Sequence, residues 1–96
     1  MMAKRREGKV EDYFKAQVAA AGGITRKAKW LCRRGCPDQF WAVRGGASGF
    51  AEIKAEGGVL DPHQAREIAK LRAAGLRVDV LSTFEEVDAF VKWNVR

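Results

Sequence analysis

Glu52 and Lys54 flank Ile53 in the run Phe50-Ala51-Glu52-Ile53-Lys54, which has the length and alternation of a strand. Residues two apart on a strand project to the same face, so the acid and the amine stand side by side while Ile53 turns into the opposite, apolar layer. The stretch Asp38 to Val43 reads as the antiparallel partner. If the turn between them centres on Gly46, the simplest register sets Asp38 opposite Lys54 and diagonal to Glu52. Clustered carboxylates repel unless a cation neutralises them, and Mg²⁺ characteristically takes one or two carboxylates, waters and phosphate oxygens. Such an ion polarises a phosphate and acidifies a bound water, leaving Lys54 to orient the nucleophile or offset transition-state charge. Phosphodiester hydrolysis is the reaction this chemistry serves. By itself E-x-K also fits a surface ion pair worth about 0 to 1 kcal/mol, with Asp38 merely closing a turn.

Several elements must hold these residues in place. Val10, Phe14 with Tyr13, Val18 and Ala21 recur at helical spacing from Lys9 and stop at Gly22-Gly23. Ile24 to Trp30 alternates loosely as a strand, with Arg26 out of phase. Pro37 cannot donate a ladder hydrogen bond, so the next strand begins just after it; a glycine-rich turn, Arg44 to Gly49, then leads into the strand that carries Glu52. Asp61-Pro62-His63-Gln64 is a capping-box-like helix start, and that helix, with Ala65, Ile68 and Leu71 on one face, ends at Gly75. Leu76 to Leu81 alternates as a further strand, and Ser82 or Thr83 caps a final helix to about Trp93, Glu85 completing a box with Ser82. The order is α-β-β-β-α-β-α, an α/β fold with a mixed sheet flanked by helices. Residues 1–8 read as a flexible basic arm and 9–96 as one domain.

The chain has 96 residues, too few for two ordinary domains, and 47% hydrophobic content excludes a disordered tail. Eighteen Lys and Arg against twelve Asp and Glu give +6, which favours a polyanionic partner over a merely solvated basic surface. No run approaches the ~18 apolar residues of a membrane span, and no apolar signal segment follows the basic start, so the cytoplasm is the expected compartment. Cys32 and Cys36 are too few for a disulfide scaffold, and the lone His63 cannot complete a closed zinc site with them. His63 itself reads as a solvated residue of the helix start. Trp41 shares the apolar face with Ile53 and Val43; Trp30 and Trp93 fit either core packing or base stacking. Arg33, Arg34 and Arg44 flank the acidic residues in sequence and fit either a phosphate grip or solvated loop charge.

Gly35-Cys36-Pro37-Asp38 followed, fourteen positions after Asp38, by Glu52-Ile53-Lys54 resembles the two active-site motifs of the PD-(D/E)xK nuclease superfamily. Val10-Glu11, Gly22-Gly23, Lys54-Ala55-Glu56-Gly57-Gly58, Gln64 and Leu71-Arg72-Ala73-Ala74-Gly75 appear in the order of its VRR-NUC branch, in particular the small stand-alone phage-type members. The resemblance runs from about Lys9 to Lys92; the departure is Cys36, where members commonly carry an aliphatic residue.

The resemblance implies that Asp38 and Glu52 are metal ligands with the Ile53 carbonyl, that Lys54 is the catalytic lysine, and that Glu11 reaches the metal or its waters. Favourable interaction with the helix dipole would equally explain Glu11. Gln64 matches a family glutamine that positions substrate or water, in competition with its capping role. The implied enzyme is a Mg²⁺- or Mn²⁺-dependent DNA endonuclease without a small-molecule cofactor. It is expected to act as a homodimer that nicks four-way (Holliday) junctions, in the host cytoplasm if phage-encoded. The alternatives are a non-catalytic nucleic-acid-binding module and a monomeric nuclease for linear or flap DNA.

Overall fold

A computed structural model describes residues 6–95 of the chain. The elements run α1 (Glu7–Ala20), β1 (Gly23–Lys27), β2 (Gln39–Val43), β3 (Ser48–Ile53), α2 (Pro62–Ala73), β4 (Val78–Leu81) and α3 (Phe84–Phe90), the last continued by a π-helical turn, Val91–Val95. This is the α-β-β-β-α-β-α order expected from the sequence. The sheet order is β1-β2-β3-β4, antiparallel except for β3 and β4, which run parallel through the α2 crossover. Of the expected basic arm, residues 1–5 lie outside the described residues. Glu7 and Gly8 already belong to α1, where the Arg6 carbonyl accepts from the Lys9 and Val10 amides and Glu7 sits favourably in the first turn.

Alternation along the strands sorts the side chains to two faces. Trp41, Ala51, Ile53 and Leu81 face α1 and α3, meeting Val10, Phe14, Val18, Val87 and Phe90 in one buried cluster. Val10, Phe14 and Val18 are four apart, so they form a single stripe on α1. Gly49 pairs across from Trp41; a methyl group there would lie 2.7 Å from the Arg77 carbonyl oxygen and 3.2 Å from the indole. The other face carries Glu52 together with Phe40 and Phe50, whose rings meet edge-on at 5.7 Å.

Local details depart from the sequence reading where tertiary contacts intervene. β1 ends at Lys27; after one more ladder bond, Ala28 amide to Asp38 carbonyl, the chain leaves the sheet, and Trp30 packs edge-on against Phe50. The box at α3 is formed by Thr83 and Glu86 in place of Ser82 and Glu85: the Glu86 amide donates to Thr83 Oγ1, and Glu86 Oε1 accepts from the Ser82 and Thr83 amides. Trp93 is 77% exposed with the Lys92 ammonium 5.6 Å from its ring, so it is not a core residue.

Candidate active site

The β2–β3 register differs from the sequence expectation by two positions. Gln39 pairs with Ala51 and Phe40 with Phe50, so the ladder continued by one residue sets Asp38 opposite Glu52, not Lys54. The turn closes through the Val43 amide and Ala47 carbonyl, with Gly45 and Gly46 both at positive φ, so it centres one residue earlier than assumed. A two-residue slip preserves parity, so every side chain keeps its expected face while the two acids come closer together.

Each carboxylate then accepts from a backbone amide of the opposite segment. The Asp38 amide donates to Glu52 Oε1 at 3.2 Å, and the Ile53 amide donates to Asp38 Oδ1 and Oδ2 at 3.3 and 3.4 Å. The N–H and C=O of one strand residue face the same edge, so the Ile53 carbonyl is also directed toward the β2 side where Asp38 lies. Glu52 is 3% exposed, and its Oε2 meets Lys54 Nζ at 3.4 Å and Gln64 Nε2 at 2.9 Å. A pair this deeply buried is not the solvated surface ion pair that E-x-K alone allows.

Gln64 caps α2 and also reaches Glu52. Its Oε1 accepts from the Asp61 amide at 3.1 Å while its own amide donates to Asp61 Oδ1, closing the box at the start of α2. Its Nε2 remains free to reach Glu52. The N-terminus of α2 is thereby anchored over the acid pair.

Burial raises the Asp38 carboxyl to about 7, with the charge of Glu52 adding to the rise and the Ile53 amide and Lys27 opposing it. Burial also raises Glu52, against the lowering effect of Lys54. The charge of Glu7, in the first turn of α1, reaches both acids. These are two carboxylates held close together in a half-buried setting, a donor set suited to a hard divalent cation. Among the described residues no group of three or more His, Cys, Asp or Glu is placed to hold a metal ion.

Glu11 is not brought into this pair. Its two oxygens are engaged by Lys27 at 3.1 Å and Lys15 at 3.0 Å; burial pushes its carboxyl up, but the hydrogen bonds and charges of the two lysines together hold it below the usual value. Lys27, to which the sequence assigns no role at the site, pairs with Glu11 and also feels the charge of Asp38. Glu7, assigned to the basic arm by the sequence, belongs to the first turn of α1. Arg44 sits in the β2–β3 turn, roughly 20 Å of strand from Asp38, so adjacency in sequence misplaces it. Arg33 and Arg34 instead lie against α2, where Arg33 pairs with Glu67 at 3.1 Å and Arg34 approaches His63 at 3.4 Å.

No family model matches the chain. It is 40% identical over 78 residues to "Putative nuclease p44" of Acyrthosiphon pisum secondary endosymbiont phage 1, a match covering 81% of this chain and 84% of that protein. A solved structure described as a VRR_NUC domain superposes with a TM-score of 0.88 at 34% identity, covering 93% of this chain and 97% of its own.

Proposed function

The chain belongs to the VRR-NUC family of nucleases, and from that premise we propose that it is a Mg²⁺- or Mn²⁺-dependent endonuclease hydrolysing phosphodiester bonds in DNA. The observation that carries this reading is the convergence of Asp38 and Glu52, from neighbouring strands, beside Lys54 and beneath the amide of Gln64. Asp38, Glu52 and the Ile53 carbonyl would hold the ion, which when bound supplies polarisation of the phosphate and an acidified water. The chain's own residues do the positioning. Gln64 and Lys54 fix one Glu52 oxygen, the Asp38 amide fixes the other, and the Ile53 amide orients Asp38. Lys54 places its ammonium at the pair, where it can orient a nucleophile or offset charge on the pentacoordinate phosphorus. Glu11 enters this reading only if the approach of substrate releases it from Lys15 and Lys27.

Asp38→Ala and Glu52→Ala should each abolish metal-dependent cleavage while leaving DNA binding largely intact. Unchanged cleavage in both variants rejects the assignment, and metal-independent binding without cleavage by the unaltered protein favours a non-catalytic module instead.

The likeness to small stand-alone family members further supports a homodimer nicking four-way junctions symmetrically, one strand per site, since two symmetric sites suit a symmetric substrate. Sedimentation mass together with a panel of branched, flap and linear DNA separates this from a monomeric enzyme. Among the described residues no helix is long and apolar enough to cross a membrane; a DNA substrate and the likeness to a phage protein support action in the host cytoplasm.

A further inference from the structure

Beside the first turns of α2, Arg34, His63 and Arg66 converge. Arg34 Nη1 lies 3.4 Å from His63 Nε2, and Arg66 Nη2 lies 3.3 Å from His63 Nδ1. A guanidinium only donates, and an imidazole has at most one accepting nitrogen. At least one of the two contacts therefore sets donor against donor. An anion placed between these groups relieves that conflict by accepting from both guanidinium groups and from the ring N–H.

The surroundings favour the same occupant. A cavity of about 270 Å³ is lined here by Arg33, Arg34, His63, Arg66, Glu67 and Lys70. Its single carboxylate, Glu67, is engaged by Arg33, whereas among the described residues Arg34, Arg66 and Lys70 have no acidic partner. A second recess of about 370 Å³ shares Arg33, Arg34 and His63 and extends to Asp61 and Gln64. Since Gln64 holds Glu52, the basic trough is continuous with the flank of the acid pair. From Gln64 to Lys70 is roughly 9 Å along the helix axis, the rise of two or three nucleotides at about 3.4 Å each.

The trough is also fixed in shape. Gly35 adopts φ +92, and a methyl group there would lie 2.7 Å from the His63 carbonyl oxygen. The absence of a side chain lets the loop bearing Arg33 and Arg34 rest directly on the first turn of α2. The capping box of Asp61 and Gln64 holds that turn in register.

We propose that Arg34, His63 and Arg66 form a binding site for one internal phosphodiester of the bound strand, outside the scissile position, with Lys70 facing the next phosphate along α2. Arginine forks suit phosphate oxygens, and two of them straddling an imidazole present donors from three directions. This rests on the nuclease reading only for the identity of the polyanion, and it is testable without cleavage.

The measurement is fluorescence anisotropy of a labelled duplex in EDTA, across salt concentrations, with and without 5′-phosphates. Arg34→Gln/Arg66→Gln is compared with the unaltered protein and with Arg77→Gln/Lys92→Gln, which removes the same charge elsewhere. Losing one phosphate contact should flatten the slope of log affinity against log salt by about 0.9, and hence weaken binding about eightfold at 0.1 M salt. The loss should be the same on both duplexes and absent from the control. Arg66→Gln alone, should the double variant not fold, is expected to flatten the slope in the same direction. An unchanged slope, an equal loss in the control, or a loss confined to 5′-phosphorylated ends overturns the proposal. Failure of the nuclease reading has a different signature: DNA bound by the unaltered protein and left uncut in Mn²⁺.

Discussion

Replacing Asp38 with Asn should make the metal-free protein more stable, although the residue sits at the centre of the proposed site. Asn keeps the carbonyl oxygen that accepts from the Ile53 amide but removes a half-buried charge facing Glu52. Burial, reinforced by Glu52, raises the Asp38 carboxyl from 3.8 to about 7. The folded state therefore binds this proton more tightly than the unfolded chain, so its stability falls as pH climbs from about 4 to about 7, and the penalty is fully present above that. Three pKa units at about 1.4 kcal/mol each set a ceiling near 4 kcal/mol, and solvent screening at a half-exposed group reduces this to roughly 1 to 2 kcal/mol. For a domain of this size that corresponds to a rise in Tm of roughly 5 to 15 °C. Thermal melts in EDTA at pH 8 should show Asp38→Asn melting above the unaltered protein, with the gap closing toward pH 4. Adding Mn²⁺ should raise the Tm of the unaltered protein alone. A variant that melts no higher at pH 8, or a gap independent of pH, refutes the electrostatic account of the acid pair.

Gln64→Glu separates the two functions of Gln64, because a glutamate at that position still accepts from the Asp61 amide but turns a second carboxylate oxygen toward Glu52. The melting temperature in Mg²⁺-free buffer should approach that of the unaltered protein as the pH is lowered, because burial raises the Glu52 carboxyl, while cleavage falls at least tenfold; retained cleavage shows that the amide does not position Glu52. Gln39 is fully buried and neither side-chain polar atom has a partner among the described residues, so Gln39→Met should stabilise the fold by about 1 to 3 kcal/mol. A lower midpoint in urea would show that the amide is satisfied after all.

What the sequence could reveal followed the range of the interactions involved. The box at Asp61 and Gln64 was legible because its partners are three residues apart, and the element order was legible because periodicity is a local property. The hairpin's faces were also legible, since parity survives a two-residue slip, but its register was not. With Gly45 and Gly46 adjacent, the turn could close about either, and only the observed pairing of Gln39 with Ala51 sets Asp38 against Glu52. Sequence likewise showed that Glu11 is acidic and on α1, yet could not show that Lys27, sixteen positions away and on another element, occupies one of its oxygens.

Gln64 makes clear why a cap and a contact to Glu52, which compete when read from a single residue type, coincide here. An amide side chain has two ends, and the α2 crossover joins β3 to β4 by starting directly above Glu52. The oxygen that stops the helix from fraying therefore holds the nitrogen at a fixed distance from the acid. Helix stability and the placement of Glu52 are coupled through one rotamer, and a loosened α2 start would release the carboxylate along with the cap. The same helix turn carries His63, so a displacement there would disturb the acid pair on one side and the Arg34–Arg66 trough on the other. Binding of the flanking phosphate and order at Glu52 are thus expected to rise and fall together, with α2 as the rigid body that connects them.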